Sequence, residues 1–114
     1  MVHSTIRMLI PSRKRDEVLG FLNAVVERCK FEQGCISCRL YQGVEVEHLI
    51  LLDQLWEKEK DLERHLQSDE YHKVLLAVDM ALEPPEIRFE TISRTTGFET
   101  IKKARSVAPK GGRA

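Results

Sequence analysis

The chain has no long apolar run, no net charge and few aromatic residues. No stretch approaches the roughly 20 apolar residues that a membrane-spanning helix needs, so a membrane partner is not expected. Eighteen Lys and Arg balance eighteen Asp and Glu, so nothing draws the protein as a whole toward nucleic acid or anionic lipid. The first residues, Met1-Val2-His3-Ser4-Thr5-Ile6-Arg7, carry no apolar core of a secretory signal. With three cysteines, an odd number, this predicts reduced thiols and a cytoplasmic setting. Only 6% of residues are aromatic, with a single tryptophan. What remains is ordinary for one folded domain: 114 residues, 42% hydrophobic and 32% charged, enough for a core without disulfides or a structural metal.

Hydrophobic period divides the chain. Residues 4 to 10 alternate, with Ile6, Met8 and Ile10 on one face, and predict a strand that Pro11 ends. Ser12 is placed to cap a helix in which Val18, Leu22, Val25 and Cys29 recur at helical spacing, broadened by Leu19, Phe21 and Val26. Gln33-Gly34 closes it. Residues 35 to 42 and 48 to 56 predict two further strands around a polar turn. The second has one face of Ile50, Leu52, Gln54 and Trp56 and another of Leu49, Leu51, Asp53 and Leu55, so both faces are expected to be covered. A helix over about 58 to 66 puts Leu62, His65 and Leu66 on one side. Ser68 is expected to cap the next, whose buried stripe is Tyr71, Val74, Leu75, Val78 and Leu82, stopped by Pro84-Pro85. Residues 86 to 93 predict a fourth strand, with Ile87, Phe89 and Thr91 sharing a face.

The domain is assigned to residues 1–96 and a helical, basic tail to 97–114. That tail has five basic residues and one acidic. Thr96-x-x-Glu99 suggests a capping box, and Phe98 and Ile101 a short helix face that docks on a partner subunit. The end, Pro109-Lys110-Gly111-Gly112-Arg113, reads as flexible.

Strand, helix, strand, strand, helix, strand is the order of two split β-α-β units. It predicts an α+β, ferredoxin-like βαββαβ fold with a four-stranded antiparallel sheet and helices on one side. The uncovered sheet face would carry leucines into water, which a two-fold homodimer would resolve. Asp53 on that face needs a partner across the interface, or the faces of this strand are shifted by one residue.

Three segments carry a family resemblance: I-P-S-R-K-R-D-E-V-L-G-F-L at 10 to 22, E-Q-G-C-I-S-C-R-L-Y at 32 to 41, and L-W-E-K-E-K-D-L-E-R-H-L-Q-S-D-E-Y at 55 to 71. On these the chain resembles the antibiotic biosynthesis monooxygenase-like family of dimeric α+β barrel proteins, over roughly residues 4 to 93. The resemblance implies a homodimer with one pocket per subunit between sheet and helices. It also implies oxidation of a small aromatic, phenolic or quinol substrate by oxygen without a cofactor. Members often carry a glutamate two positions before the tryptophan, where this chain has Gln54. The haem-degrading branch has Asn, Trp and His at places that here hold Thr5, His65 and Leu75, so haem cleavage is not implied.

The candidate site residues follow from the faces. His65 and Gln54 are the catalytic pair: an imidazole that titrates near neutrality, and an amide that orients an oxygen-bearing group. Trp56, Tyr71 and Tyr41 are the substrate-binding candidates, with Arg39 beside Tyr41. His3, His48 and His72 are expected to be solvated. No histidine pair stands at metal-binding helical spacing, so no metal is expected. Cys35-x-x-Cys38 lies on a strand, where residues three apart point to opposite faces, and Cys29 adds no regular ligand spacing, so a redox or metal role is not expected. A non-redox isomerase of a small carbonyl metabolite using His65, and a non-catalytic ligand-binding dimer, are the competing readings.

Overall fold

The computed structural model describes residues 1–106, and the Pro109–Arg113 stretch lies outside them. The elements are β1 (Val2–Leu9), α1 (Arg15–Cys29), β2 (Cys35–Gln42), β3 (Leu49–Trp56), α2 (Glu59–Leu66), α3 (His72–Asp79), β4 (Glu86–Thr91) and α4 (Phe98–Ser106). One four-stranded sheet has the order β2-β3-β1-β4, every neighbour antiparallel. This is the α+β ferredoxin-like arrangement that the sequence order predicts. No helix among the described residues is long and apolar enough to cross a membrane.

Alternation sets the sheet faces. In β1 Val2, Ser4, Ile6 and Met8 are buried, and in β3 Ile50, Leu52, Gln54 and Trp56. Antiparallel partners share a face, so Ile6 opposite Leu52 and Ser4 opposite Gln54 form one floor under the helices. Val18, Leu22, Val25, Val26 and Cys29 of α1 and Val74 and Ala77 of α3 close over it. These are the i, i+3, i+4 and i+7 positions that a helix must bury together.

Several local expectations differ. Ser12 caps nothing: it opens a 3-10 turn ahead of α1, and its hydroxyl lies 3.5 Å from His48 Nδ1. Ser68 does not cap α3; its hydroxyl donates backwards to the His65 carbonyl at 2.6 Å, and a 3-10 turn at Asp69–Tyr71 precedes α3. The α3 stripe is shorter than its sequence period suggests. Ala77 is buried, whereas Leu75, inside α3, is 51% exposed on its outer side, and Leu82 is 60% exposed because α3 ends at Asp79, before Leu82 joins it. At α4 the Glu99 carboxylate accepts from Gly97 N–H at 3.0 Å rather than from Thr96, so the expected box is displaced by one residue. Phe98 and Ile101 are exposed, with Lys102 over the Phe98 ring.

The uncovered face is more polar than its leucines suggest. Leu49, Leu51 and Leu55 are half-buried there. Asp53 accepts from His3 Nε2 at 2.6 Å, within the same chain. His3 is therefore a β1 residue with a carboxylate partner, not a solvated arm. Along β4 every residue is exposed, although Ile87 and Phe89 pair with Ile6 and Ser4 and so share the helix-side face. The helices stop short of this edge strand.

Candidate functional site

The loop between α1 and β2 shapes the site. Glu32 N–H donates to the Cys29 carbonyl at 3.0 Å, and Cys35 N–H to the Glu32 carbonyl at 3.1 Å. Two successive i to i+3 turns bend the chain back there, the second passing through Gly34. Cys29, Glu32 and Cys35 thus fall together. Gly34 takes φ +83°, a conformation that disfavours a Cβ, and the Asp61 carboxylate packs where that Cβ would stand. Asp61 also accepts Lys58 N–H at 3.2 Å, capping α2, and pairs with Arg64 at 3.1 Å. Glu57 N–H donates to the Gly34 carbonyl at 2.8 Å and ties the loop to the end of β3. Loop, strand end and helix start are held as one corner.

That corner delivers His65. The ring is fully buried. Its Nδ1 lies 2.9 and 3.0 Å from the two Glu32 oxygens, and its Nε2 lies 3.1 Å from Gln54 Nε2. An amide nitrogen only donates and a carboxylate only accepts, so this neutral imidazole carries its proton on Nδ1 and accepts at Nε2. Trp56 packs at 4.8 Å between ring centroids, and Tyr71 meets the imidazole edge-on at 5.3 Å. Gln54, Trp56, His65 and Tyr71 are therefore brought together, as their faces predict. Burial raises the Tyr71 phenol above its ordinary value. The indole N–H of Trp56 is buried without a hydrogen-bond partner among the described residues.

The space between them is filled rather than open. A groove of about 490 Å³ lies just outside, lined by Leu66, Ser68, Asp69, Tyr71, His72 and Leu75. Tyr71 belongs to both the groove and the buried cluster. His72 is exposed on the groove, as expected of it. Tyr41 is not brought in. It pairs with Leu51 on the opposite sheet face, as Arg39 does with Asp53, and is separated from His65 by the sheet itself.

The cysteines correct the sequence reading. The β2 register jumps between Cys35, opposite Trp56, and Ser37, opposite Leu55, so Ile36 is an extra bulge residue. The bulge turns Cys35 to the side of Cys38, which pairs with Gln54. Cys29 Sγ lies 3.6 Å from Cys35 Sγ, and Gln54 Nε2 approaches Cys29 Sγ at 3.3 Å and Cys38 Sγ at 3.5 Å. All three are free thiols. The Cys29 thiol is pushed up by its hydrogen bond to Cys38, by burial and by the neighbouring sulfurs. Accepting that bond draws Cys38 down, against its burial. Burial raises Cys35.

Glu32 is the functional residue that sequence reasoning missed. It lies 33 positions from His65, and only the C-x2-E-x2-C spacing hints at it.

This fold, with a histidine and a glutamine buried between sheet and helices, places the chain among α+β ferredoxin-like proteins with a polar site under the helices. The family model for antibiotic biosynthesis monooxygenases matches residues 1–75, and the chain belongs to that family. An uncharacterized protein of Synechocystis is 26% identical over 83 residues, 72% of this chain and 56% of the relative, so the chain spans little more than half of that curated relative's length. Among solved structures, a Mycobacterium tuberculosis protein is similar with a TM-score of 0.76 at 18% identity, covering 84% of this chain and 98% of that one. A candidate antibiotic biosynthesis monooxygenase from Nitrosomonas europaea gives 0.74 at 16% identity, covering 82% and 100%. Another from Deinococcus radiodurans gives 0.77 at 13%, covering 85% and 97%. At these identities the likeness concerns the fold.

Proposed function

We propose that this protein is a cofactor-independent monooxygenase of a small aromatic carbon acid, phenol or quinol, with His65 as the base. The observation that supports this most is the Glu32–His65–Gln54 line. A carboxylate holds Nδ1, and Nε2 is left as the acceptor, 3.1 Å from an amide nitrogen. A carboxylate-backed imidazole is a general base whose orientation and tautomer are fixed before substrate arrives. Gln54, standing where relatives often have glutamate, acts as an orienting amide for the substrate oxygen and not as a second base.

In this scheme substrate enters from the groove as Tyr71 swings away from the imidazole edge. His65 Nε2 takes a proton from the acidic C–H or O–H. The resulting carbanion or phenolate passes one electron to oxygen, and the radical pair joins to a peroxide. For a CH2 substrate, collapse of the peroxide leaves a carbonyl and releases one water, so R–CH2–R′ and O2 give R–CO–R′ and H2O. Trp56 packs on the ring, and the closed interior keeps water from the radical pair.

The expected assembly is a two-fold homodimer in which the uncovered sheet faces meet, burying Leu49, Leu51 and Leu55 of both subunits. Light scattering after gel filtration reads this directly; a monomer at working concentration would remove it.

The function is tested by oxygen uptake with chelator-treated protein over a panel of anthrones, hydroquinones and catechols. Uptake that falls about 10²- to 10⁴-fold in His65→Ala is the expected result. No uptake above the buffer rate would sink the oxygenase reading. One observation favours a second reading: the His65 ring is wholly enclosed by protein. A dimer that binds a small ligand in the groove without turnover needs no access to that ring.

A further inference from the structure

We propose that Cys29, Glu32, Cys35 and His65 form a binding site for one borderline-soft divalent metal ion, with zinc the preferred occupant. This inference does not rest on the oxygenase reading. One atom each from Cys29, Glu32 and His65 lies within 4.8 Å of the others, a spread that a bound ion would draw in slightly. Cys35 Sγ is 3.6 Å from Cys29 Sγ. Two sulfurs bound to tetrahedral zinc at about 2.3 Å stand roughly 3.8 Å apart. The thiols therefore already sit near the edge length that a shared metal sets.

The donor set points to the ion. Two thiolates, an imidazole and a carboxylate make four ligands of mixed softness, which suits zinc better than calcium or magnesium. The backbone supplies the spacing, since the two i to i+3 turns from Cys29 to Cys35 present residues 29, 32 and 35 to one side. His65 would bind through Nδ1, now facing Glu32, while its proton moves to Nε2. Gln54 would then turn its carbonyl oxygen to accept that proton, the second-sphere hydrogen bond that metal-bound histidines usually make. Binding releases two protons, one from each thiol. The three ligand charges against the ion leave a net charge of minus one. Entry is open at Glu32, whose side chain is 28% exposed. Cys38 is left out of the set because it does not belong to the Cys29–Glu32–His65 cluster and its Sγ meets Gln54 Nε2 at 3.5 Å.

Cobalt(II) is the probe, titrated into the chelator-treated, reduced full-length chain. The expected result is one cobalt per chain, a near-ultraviolet thiolate-to-cobalt charge-transfer band, visible bands of tetrahedral intensity, and displacement of all of these by one equivalent of zinc. Each thiolate contributes to the band, so Cys29→Ser and Cys35→Ser should each remove roughly half of it, and Glu32→Gln should loosen binding. Cys38→Ser should leave the spectrum unchanged. Cys35 and Glu32 are only partly buried, so these variants test the site without opening the core, and circular dichroism checks their fold. The proposal is overturned by no charge-transfer band at one equivalent, by a band of undiminished intensity in Cys29→Ser, or by loss of the band in Cys38→Ser instead of Cys35→Ser. Because the readout is spectroscopic, its failure is separate from any failure of the oxygen assay.

Discussion

Replacing Gly34 with alanine should destabilise the protein through two separable effects. The residue sits at φ +83°, and an added Cβ would overlap the Asp61 carboxylate. Holding alanine in a left-handed conformation costs about 1–2 kcal/mol. Displacing Asp61 from the Lys58 N–H removes a helix cap, worth about 1 kcal/mol. Together Gly34→Ala should cost roughly 2–3 kcal/mol, which for a domain of this size lowers Tm by about 10–20 °C. Urea unfolding at fixed protein concentration, followed by circular dichroism, measures the change. The decisive comparison is Gly34→Ala made again in an Asp61→Ala background. There the cap is already gone and the overlap relieved, so only the backbone strain of about 1–2 kcal/mol should remain. Equal costs in both backgrounds would refute the overlap, and a cost near zero in the wild-type background would refute the strain as well.

Three further outcomes are expected. Trp56→Phe removes a buried N–H that has no partner, and this gain offsets part of the lost packing, so it should cost about 1 kcal/mol against about 3–5 for Trp56→Ala; equal costs in a urea comparison would contradict the orphaned donor. Burial holds the Tyr71 phenol above its ordinary value of 10.0: the folded state keeps its proton longer than the unfolded chain, so this stabilisation is complete below pH 10.0 and is lost as pH rises through the higher folded value. Tyr71→Phe should lose less stability than wild type between roughly pH 9 and 11, read from urea midpoints. Zinc should suppress oxygen uptake by taking Nδ1 and Glu32 from the base, and chelator should restore it; uptake that rises with zinc would exclude a metal-free base.

The fold was legible because its signals are local. The bounds of β2 match the sequence pattern, β3 and α2 differ by a residue at one end, and the alternation through Ile50, Leu52, Gln54 and Trp56 assigned the buried face. The meeting of Gln54, Trp56, His65 and Tyr71 followed from those faces. What escaped was set by geometry that no period encodes. Leu75 and Leu82 have the spacing of a buried stripe, but Leu75 lines the outer groove and α3 ends before Leu82. Tyr41 has the chemistry of a ligand contact, yet parity in β2 sends it to the other side of the sheet. Glu32 was hidden because a turn, not a helix or strand, carries it to His65. Asp53 is anomalous only if His3 is solvated; the extension of β1 back to Val2 brings His3 Nε2 to its carboxylate.

The bulge at Ile36 has a consequence for how this corner tolerates change. Cys35 and Cys38 are three residues apart, an odd step that an unbroken pleat would split between the two faces. The extra residue at 36 cancels that odd step. Deleting Ile36 would leave Cys35 and Cys38 on the same side, two positions apart on a regular strand. Inserting one residue into β3 opposite the bulge would straighten the pair and throw Cys35 across the sheet. One added residue can thus disperse the thiols, while also shifting Trp56 against Val2 of β1, and one removed residue spares them.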